Sequence, residues 1–257
     1  MHSSIPVRGE VLHASSPALR GEFDFQDDIG SVNLDSQRIA ALRRHAQDTA
    51  SSWVDAGRQG GKVLKPEHKR LHALLASHAL TGGLFDAETR AWLLENYRLI
   101  RTALRDAGRP DRDMAEHPHV SSAGGTPVPR VYALVRSFLT SVDFVYRPDA
   151  LAVYVGAVQD ERPLEMGEIW ALKPMLQLVL LRELAATLER GINADSASGE
   201  AGIPAAGRLI SSLRAVAQTD WKSLFEQVSL VERILRSDPS LTYPRMDYES
   251  RDMYRNA

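Results

Sequence analysis

Cysteine is absent from the 257 residues. That removes disulfides and thiolate metal ligands, and it fits a reducing compartment. Long apolar runs are missing too. A spanning helix needs roughly 20 mostly apolar residues. The best stretch, residues 169–188, is interrupted by Lys173, Gln177, Arg182 and Glu183. Residues 1–19 hold one early Arg and no apolar segment, so no secretory signal is expected. Neither sign of charge dominates. The net charge is -2, which favours neither nucleic acid nor an anionic membrane as a partner. The expected location is cytoplasmic, or the cytoplasmic part of something larger.

Recognisable catalytic motifs are also missing. Gly57-Arg58-Gln59-Gly60-Gly61-Lys62 lacks both the P-loop spacing and the hydroxyl residue after Lys. There is no Gly-x-Ser-x-Gly elbow. Arg and aromatic residues do not interleave on a basic face, so nucleic-acid binding is not expected. His68 and His72 stand four apart, a spacing that can hold a metal. Two cations lie between them, and no Glu follows the first as in a zinc protease. His117 and His119 flank Pro118 in an expected loop. Neither pair is read as a metal site, and no cofactor is expected. Glu165 and Glu168 stand near Trp170. Paired carboxylates can do acid–base work, but the helix dipole also favours carboxylates at a helix start, and that reading is preferred. The expected catalytic, cofactor and metal residues are therefore none.

Helix signals are plentiful. The apolar fraction is 44%, enough for a sizeable core at this length. Residues 1–31 mix Ser, Pro, Gly and acidic residues and read as a disordered tail. A helical domain is expected over 32–257. Asp35 caps a helix presenting Ile39, Leu42, Ala46 and Trp53, ended by the glycines at 57–61. Pro66 opens a second helix, and Asp86 caps a third that carries Leu93, Ile100 and Leu104 and stops at Gly108-Arg109-Pro110. Residues 109–129 read as a long loop and a sub-boundary. In 130–145, Val131, Leu134, Val135, Phe138, Leu139 and Val142 form one apolar stripe. Residues 151–158 read as helix. Residues 165–190 read as one long helix kinked at Pro174, and 191–207 as a linker. Helices follow over 208–218 and 221–227. Ser229 and Glu232 have capping-box spacing and open a short helix. The fold class is all-α, an irregular multi-helix bundle with no sheet larger than a hairpin.

The C-terminal segment has two open readings. Arg245, Asp247, Glu249, Arg251, Asp252 and Arg255 alternate in sign around Met246, Tyr248, Met253 and Tyr254. A salt-bridged helix surface would look like this. So would a docking segment, in which Tyr and Arg are favoured anchors. The chain stops at Ala257 before a last helix gains length, which points to truncation.

The order of several blocks adds a resemblance. They are Leu94-Glu95-Asn96-Tyr97; Pro129-Arg130-Val131-Tyr132-Ala133-Leu134; and Pro163-Leu164 with Gly167-Glu168-Ile169-Trp170-Ala171-Leu172. The fourth is Val231-Glu232-Arg233-Ile234-Leu235-Arg236 with Asp238-Pro239, Tyr243, Arg245-Met246-Asp247, Arg251-Asp252 and Tyr254-Arg255. Together they resemble the N-terminal region of bacterial cyclic β-1,2-glucan synthases. Glu165-Met166 departs from the family's usual Thr-Ile, and Lys173 replaces an apolar residue, as in a diverged member.

The resemblance implies a context. These synthases are very large inner-membrane proteins with a UDP-glucose-dependent glucosyltransferase after the helical segment. This chain would then be a non-catalytic N-terminal helical domain, or a truncated copy, on the cytoplasmic side. Its implied partner is the glycosyltransferase module of the same or a neighbouring chain, with the membrane engaged only indirectly. None of the family's catalytic residues carries over. Arg245, Met246, Asp247, Tyr248, Arg251, Tyr254 and Arg255 become the candidate partner-docking residues. Residues 243–257 are expected to be poorly held without that partner. An independent helical adaptor using the same segment is the alternative. A third reading, an enzyme in its own right, rests on Glu165, Glu168 and Trp170.

Overall fold

The computed structural model describes residues 35–58, 91, 93–107, 117–121, 125–193, 202–237, 239 and 241–255. The expected tail and the Pro66 helix, with His68 and His72, lie outside the described residues.

The architecture is all-α, an irregular bundle with a small sheet at one side. The elements are α1 (Ser36–Ser52), β1 (Val54–Arg58), α2 (Tyr97–Ala107), β2 (Pro118–Ser121), β3 (Val128–Pro129), α3 (Arg130–Ser141) and α4 (Pro148–Glu161). Then come α5 (Met166–Trp170), α6 (Leu172–Asn193), α7 (Gly202–Gln218), α8 (Trp221–Val228), α9 (Leu230–Arg236), a 3-10 turn (Tyr243–Arg245) and α10 (Tyr248–Arg255).

Two helices organise the core. α6 packs against α2, α3 and α7, while α4 packs against α1 and α8. α3 lies against both α6 and α4, so it joins the two groups. Its stripe explains this position. Val131, Leu134, Val135, Phe138 and Leu139 are all fully buried, and Val142 is packed against the core. Phe138 also meets the Tyr154 ring of α4, with centroids 5.4 Å apart. α1 is capped as expected, the Arg38 amide donating to Asp35 Oδ1 at 2.7 Å. It turns Leu42, Ala46 and Ala50 inward.

The structure corrects several boundaries. α1 ends at Ser52, and Gly57 and Arg58 of the expected break belong to β1, while residues 59–61 lie outside the described residues. The expected loop at 109–129 contains β2 and β3. The sheet therefore has three strands, β1-β2-β3, one more than a hairpin. β1 and β2 are antiparallel, with Asp55 opposite Val120 and an irregularity before Arg58 opposite Pro118. Gly57 stands within that irregularity at φ +72°, where a Cβ would be strained.

α3 stops at Ser141 because Asp143 and Phe144 take left-handed conformations, φ 48° and 58°. Two such residues in succession are strained without glycine. Ser212 of α7 holds them: its Oγ donates to the Phe144 carbonyl at 2.6 Å and accepts from the Tyr146 amide at 3.0 Å.

The long helix expected over 165–190 is two helices, α5 and α6, separated at Ala171. Pro174 sits in the first turn of α6, where its missing N–H has no partner to lose. The expected linker is shorter, because α6 runs to Asn193 and α7 begins at Gly202. No helix among the described residues is long and apolar enough to cross a membrane.

Candidate functional site

Glu165 and Glu168 sit at the start of α5, but they do not share an opening. Glu168 is fully buried. Arg130, at the first position of α3, donates its Nε to Glu168 Oε1 at 2.9 Å and its Nη2 to Glu168 Oε2. The same Nη2 donates to the Pro163 carbonyl at 3.1 Å. Glu168 Oε2 also accepts the Glu165 amide at 2.9 Å, the helix-capping bond expected of this spacing. Burial alone would lower the Arg130 pKa, but the hydrogen bonds and charge of Glu168 outweigh it and hold the guanidinium above its usual value. Both oxygens of Glu168 are thus engaged in the fold.

Glu165 faces outward and pairs with Arg58 of β1 at 2.6 Å. A parallel link joins Arg162 to Asp55 at 2.6 Å. These pairs tie the sheet to α4 and α5. The Trp170 ring stands edge-on to Phe225 of α8, 4.4 Å away.

His117 and His119, expected in a loop, are both buried at β2. The His119 Nδ1 lies 2.9 Å from the His117 carbonyl. The His117 ring lies against Gly167 of α5, so close that a Cβ there would fall 2.7 Å from its Cε1. Among the described residues no group of three His, Cys, Asp or Glu is placed to hold a metal ion.

The C-terminal candidates sit on α8 and α9. Glu226 of α8 accepts from Arg251 Nη2 at 2.6 Å and from Arg236 Nη2 at 2.7 Å. Glu232 of α9 is fully buried and accepts from Arg236 Nε at 2.7 Å and from the Tyr243 hydroxyl at 2.5 Å. Lys222 lies over the Tyr248 ring, 4.8 Å from its centre. Asp247 caps α10, accepting from the Ser250 amide at 2.9 Å. That bond and the Ser250 hydroxyl hold the Asp247 carboxyl below its usual pKa.

The segment expected to be poorly held is therefore fastened within its own chain. Tyr243 is buried, and Met246 and Tyr248 are half-buried. Arg245 is exposed in the turn, and Arg255 ends α10. Met253 and Tyr254 do stand open, at 69% and 59% exposure. Five of the seven large apolar side chains exposed among the described residues lie here: Val231, Ile234, Leu241, Met253 and Tyr254.

One cluster was not foreseen. The Tyr154 hydroxyl donates to Ser137 Oγ at 2.9 Å, and Thr49 Oγ1 and His45 Nε2 lie 3.0 and 3.1 Å from the same oxygen. Burial raises the Tyr154 pKa, opposed by its bonds to Ser137 and Thr49. The cluster pins α1 to α3 and α4. Tyr154 lies 105 residues beyond Thr49 in the chain, and no local spacing announces the cluster.

These geometries define a helical fold in which two fully buried carboxylates, Glu168 and Glu232, are paired with Arg130 and Arg236. No protein-family profile matches the chain. It is similar to the cyclic beta-(1,2)-glucan synthase NdvB of Rhizobium meliloti (strain 1021), at 31% identity over 104 residues. The match covers 38% of this chain and only 4% of that relative's length.

The blocks that carry the resemblance have structural positions. Asn96 is buried and accepts from Arg214 of α7 at 3.0 Å. Arg130 of the second block pairs with Glu168 of the third. Glu232, Arg236, Tyr243 and Arg251 of the fourth join one network through Glu226.

Proposed function

We propose that the chain is a non-catalytic helical domain of a cyclic β-1,2-glucan synthase-like protein, and that its C-terminal face docks the glycosyltransferase module. One observation carries the reading. The matched relative is a synthase, and the residues that carry the resemblance build buried pairs rather than an open site. A domain of this kind braces a catalytic module rather than sharing its chemistry. The exposed Val231, Ile234, Met253 and Tyr254 supply docking surface, and the exposed Arg245 supplies part of the polar rim usual for interfaces.

A chimera tests this. The 104 residues that align would replace their counterpart in the relative, and cyclic glucan made from UDP-glucose would be measured in membranes. Retained output is expected, while the purified chain alone transfers no glucose. A stably expressed chimera without output would sink the proposal.

The same exposed apolar cluster favours a second reading, an adaptor for an unrelated protein. Recovery of one such partner from cells, with none of the glycosyltransferase, would prefer it.

A further inference from the structure

The 3-10 turn and α10 are held to the body chiefly by polar contacts. Glu226 receives Arg251 on one oxygen and Arg236 on the other. Glu232 is shared between Arg236 and Tyr243. An aromatic contact adds to this hold, Lys222 lying over Tyr248, while Tyr243 meets Tyr254 edge-on at 6.3 Å within the segment itself. Tyr243 of the turn is buried, but apolar cover is thin along α10, where Met253 and Tyr254 face outward. The Arg251 Nε is buried and finds no acceptor among the described residues, so the fastening is incomplete.

We propose that residues 243–255 form a releasable strap and that Glu226 is its latch. The Glu226–Arg251 pair is largely desolvated, at 16% and 15% side-chain exposure. Removing one partner strands the other charge in a poorly hydrated place, the costliest state for an ion pair. Deep in a core, the fold has to absorb that cost. Here α10 can lift into water and rehydrate Arg251, because little apolar surface opposes it. Loss of the latch charge therefore opens the strap and leaves the helical body intact. The open strap uncovers two carboxylates, Glu226 and Glu232.

The absence of cysteine makes the test clean. Met253→Cys gives a single exposed thiol for a fluorescent label on the full chain. Glu226→Gln should lower the label's anisotropy. It should also speed amide exchange after Met246 on the order of tenfold, while exchange in α3 and α6 stays unchanged. Adding Arg251→Met should restore the closed values, since neither charge is then stranded. Arg251→Glu, which alters only the strap, should open it as well. Unchanged exchange in Glu226→Gln would overturn the proposal. So would equal acceleration in α3 and α6, or a double variant that stays open.

Discussion

At Arg130 the guanidinium is committed to Glu168 on two oxygens and to the Pro163 carbonyl, all beneath the surface. Glu168→Gln keeps the shape of this arrangement and removes its counter-charge. The expected loss is about 3–5 kcal/mol in urea unfolding, because a buried cation is left alone. Combining it with Arg130→Met should recover much of that loss. If Glu168→Gln proves neutral, the pair is wetter than the structure has it. Gly167→Ala tests the neighbouring contact. The new Cβ would press on the His117 ring from 2.7 Å, and His117 is itself buried. Overpacking of this kind costs about 1–3 kcal/mol, read as a lower thermal midpoint. An unchanged midpoint would mean that the ring can move aside.

Among the elements, α3 carries the strongest expectation. Phe138→Ala removes a fully buried ring that touches Tyr154, and about 3–5 kcal/mol of stability should go with it. A change near zero would place the stripe on the wrong face. This helix was legible because its apolar residues repeat with the helical period over three turns. The strands were not. β3 has two residues and β2 four, and β1 pairs with partners from Arg58–Pro118 to Val54–Ser121, 60 to 67 residues away. No alternation can develop over such lengths, and the Gly57 that looked like a helix stop is a bend within β1. The split at Ala171 was hidden for another reason. The apolar pattern runs through α5 into α6 without a break, and Pro174 drew the expected kink three residues late. The candidate site was half legible. Composition marked 245–255 as a charged aromatic segment. It gave no sign that Glu226, or Glu232, read there only as a capping-box carboxylate, would receive it.

For the whole molecule, Tyr146 sets a limit in alkali. It joins the α3–α4 connection to α7, its hydroxyl 3.0 Å from Thr219 Oγ1. Burial pushes this phenol up to about 12 from its usual 10.0, against the Thr219 bond. The folded protein thus resists an ionisation that the unfolded chain undergoes near pH 10. The stabilisation is complete below that pH and drains away as pH rises toward 12. Denaturant midpoints measured from pH 8 to 11.5 should fall over the upper part of that range, and Tyr146→Phe should flatten the fall. An equal decline in the variant would assign it to other groups.

The bundle also imposes a schedule on synthesis. α1 is the first described helix to leave the ribosome, yet the helix it packs against, α4, begins at Pro148. The ribosome adds about 5–20 residues per second, so α1 waits several seconds for its cover. The side chains it must leave wet in that interval are few. Ala46 and Ala50 form much of its inner face, and Arg38, Arg43 and Arg44 stand outward. A helix with a small-residue seam and a cationic back offers chaperones and neighbouring nascent chains little to grip. Its poverty of large apolar groups, which looks like a weak contribution to the core, makes it a safe segment to emit early.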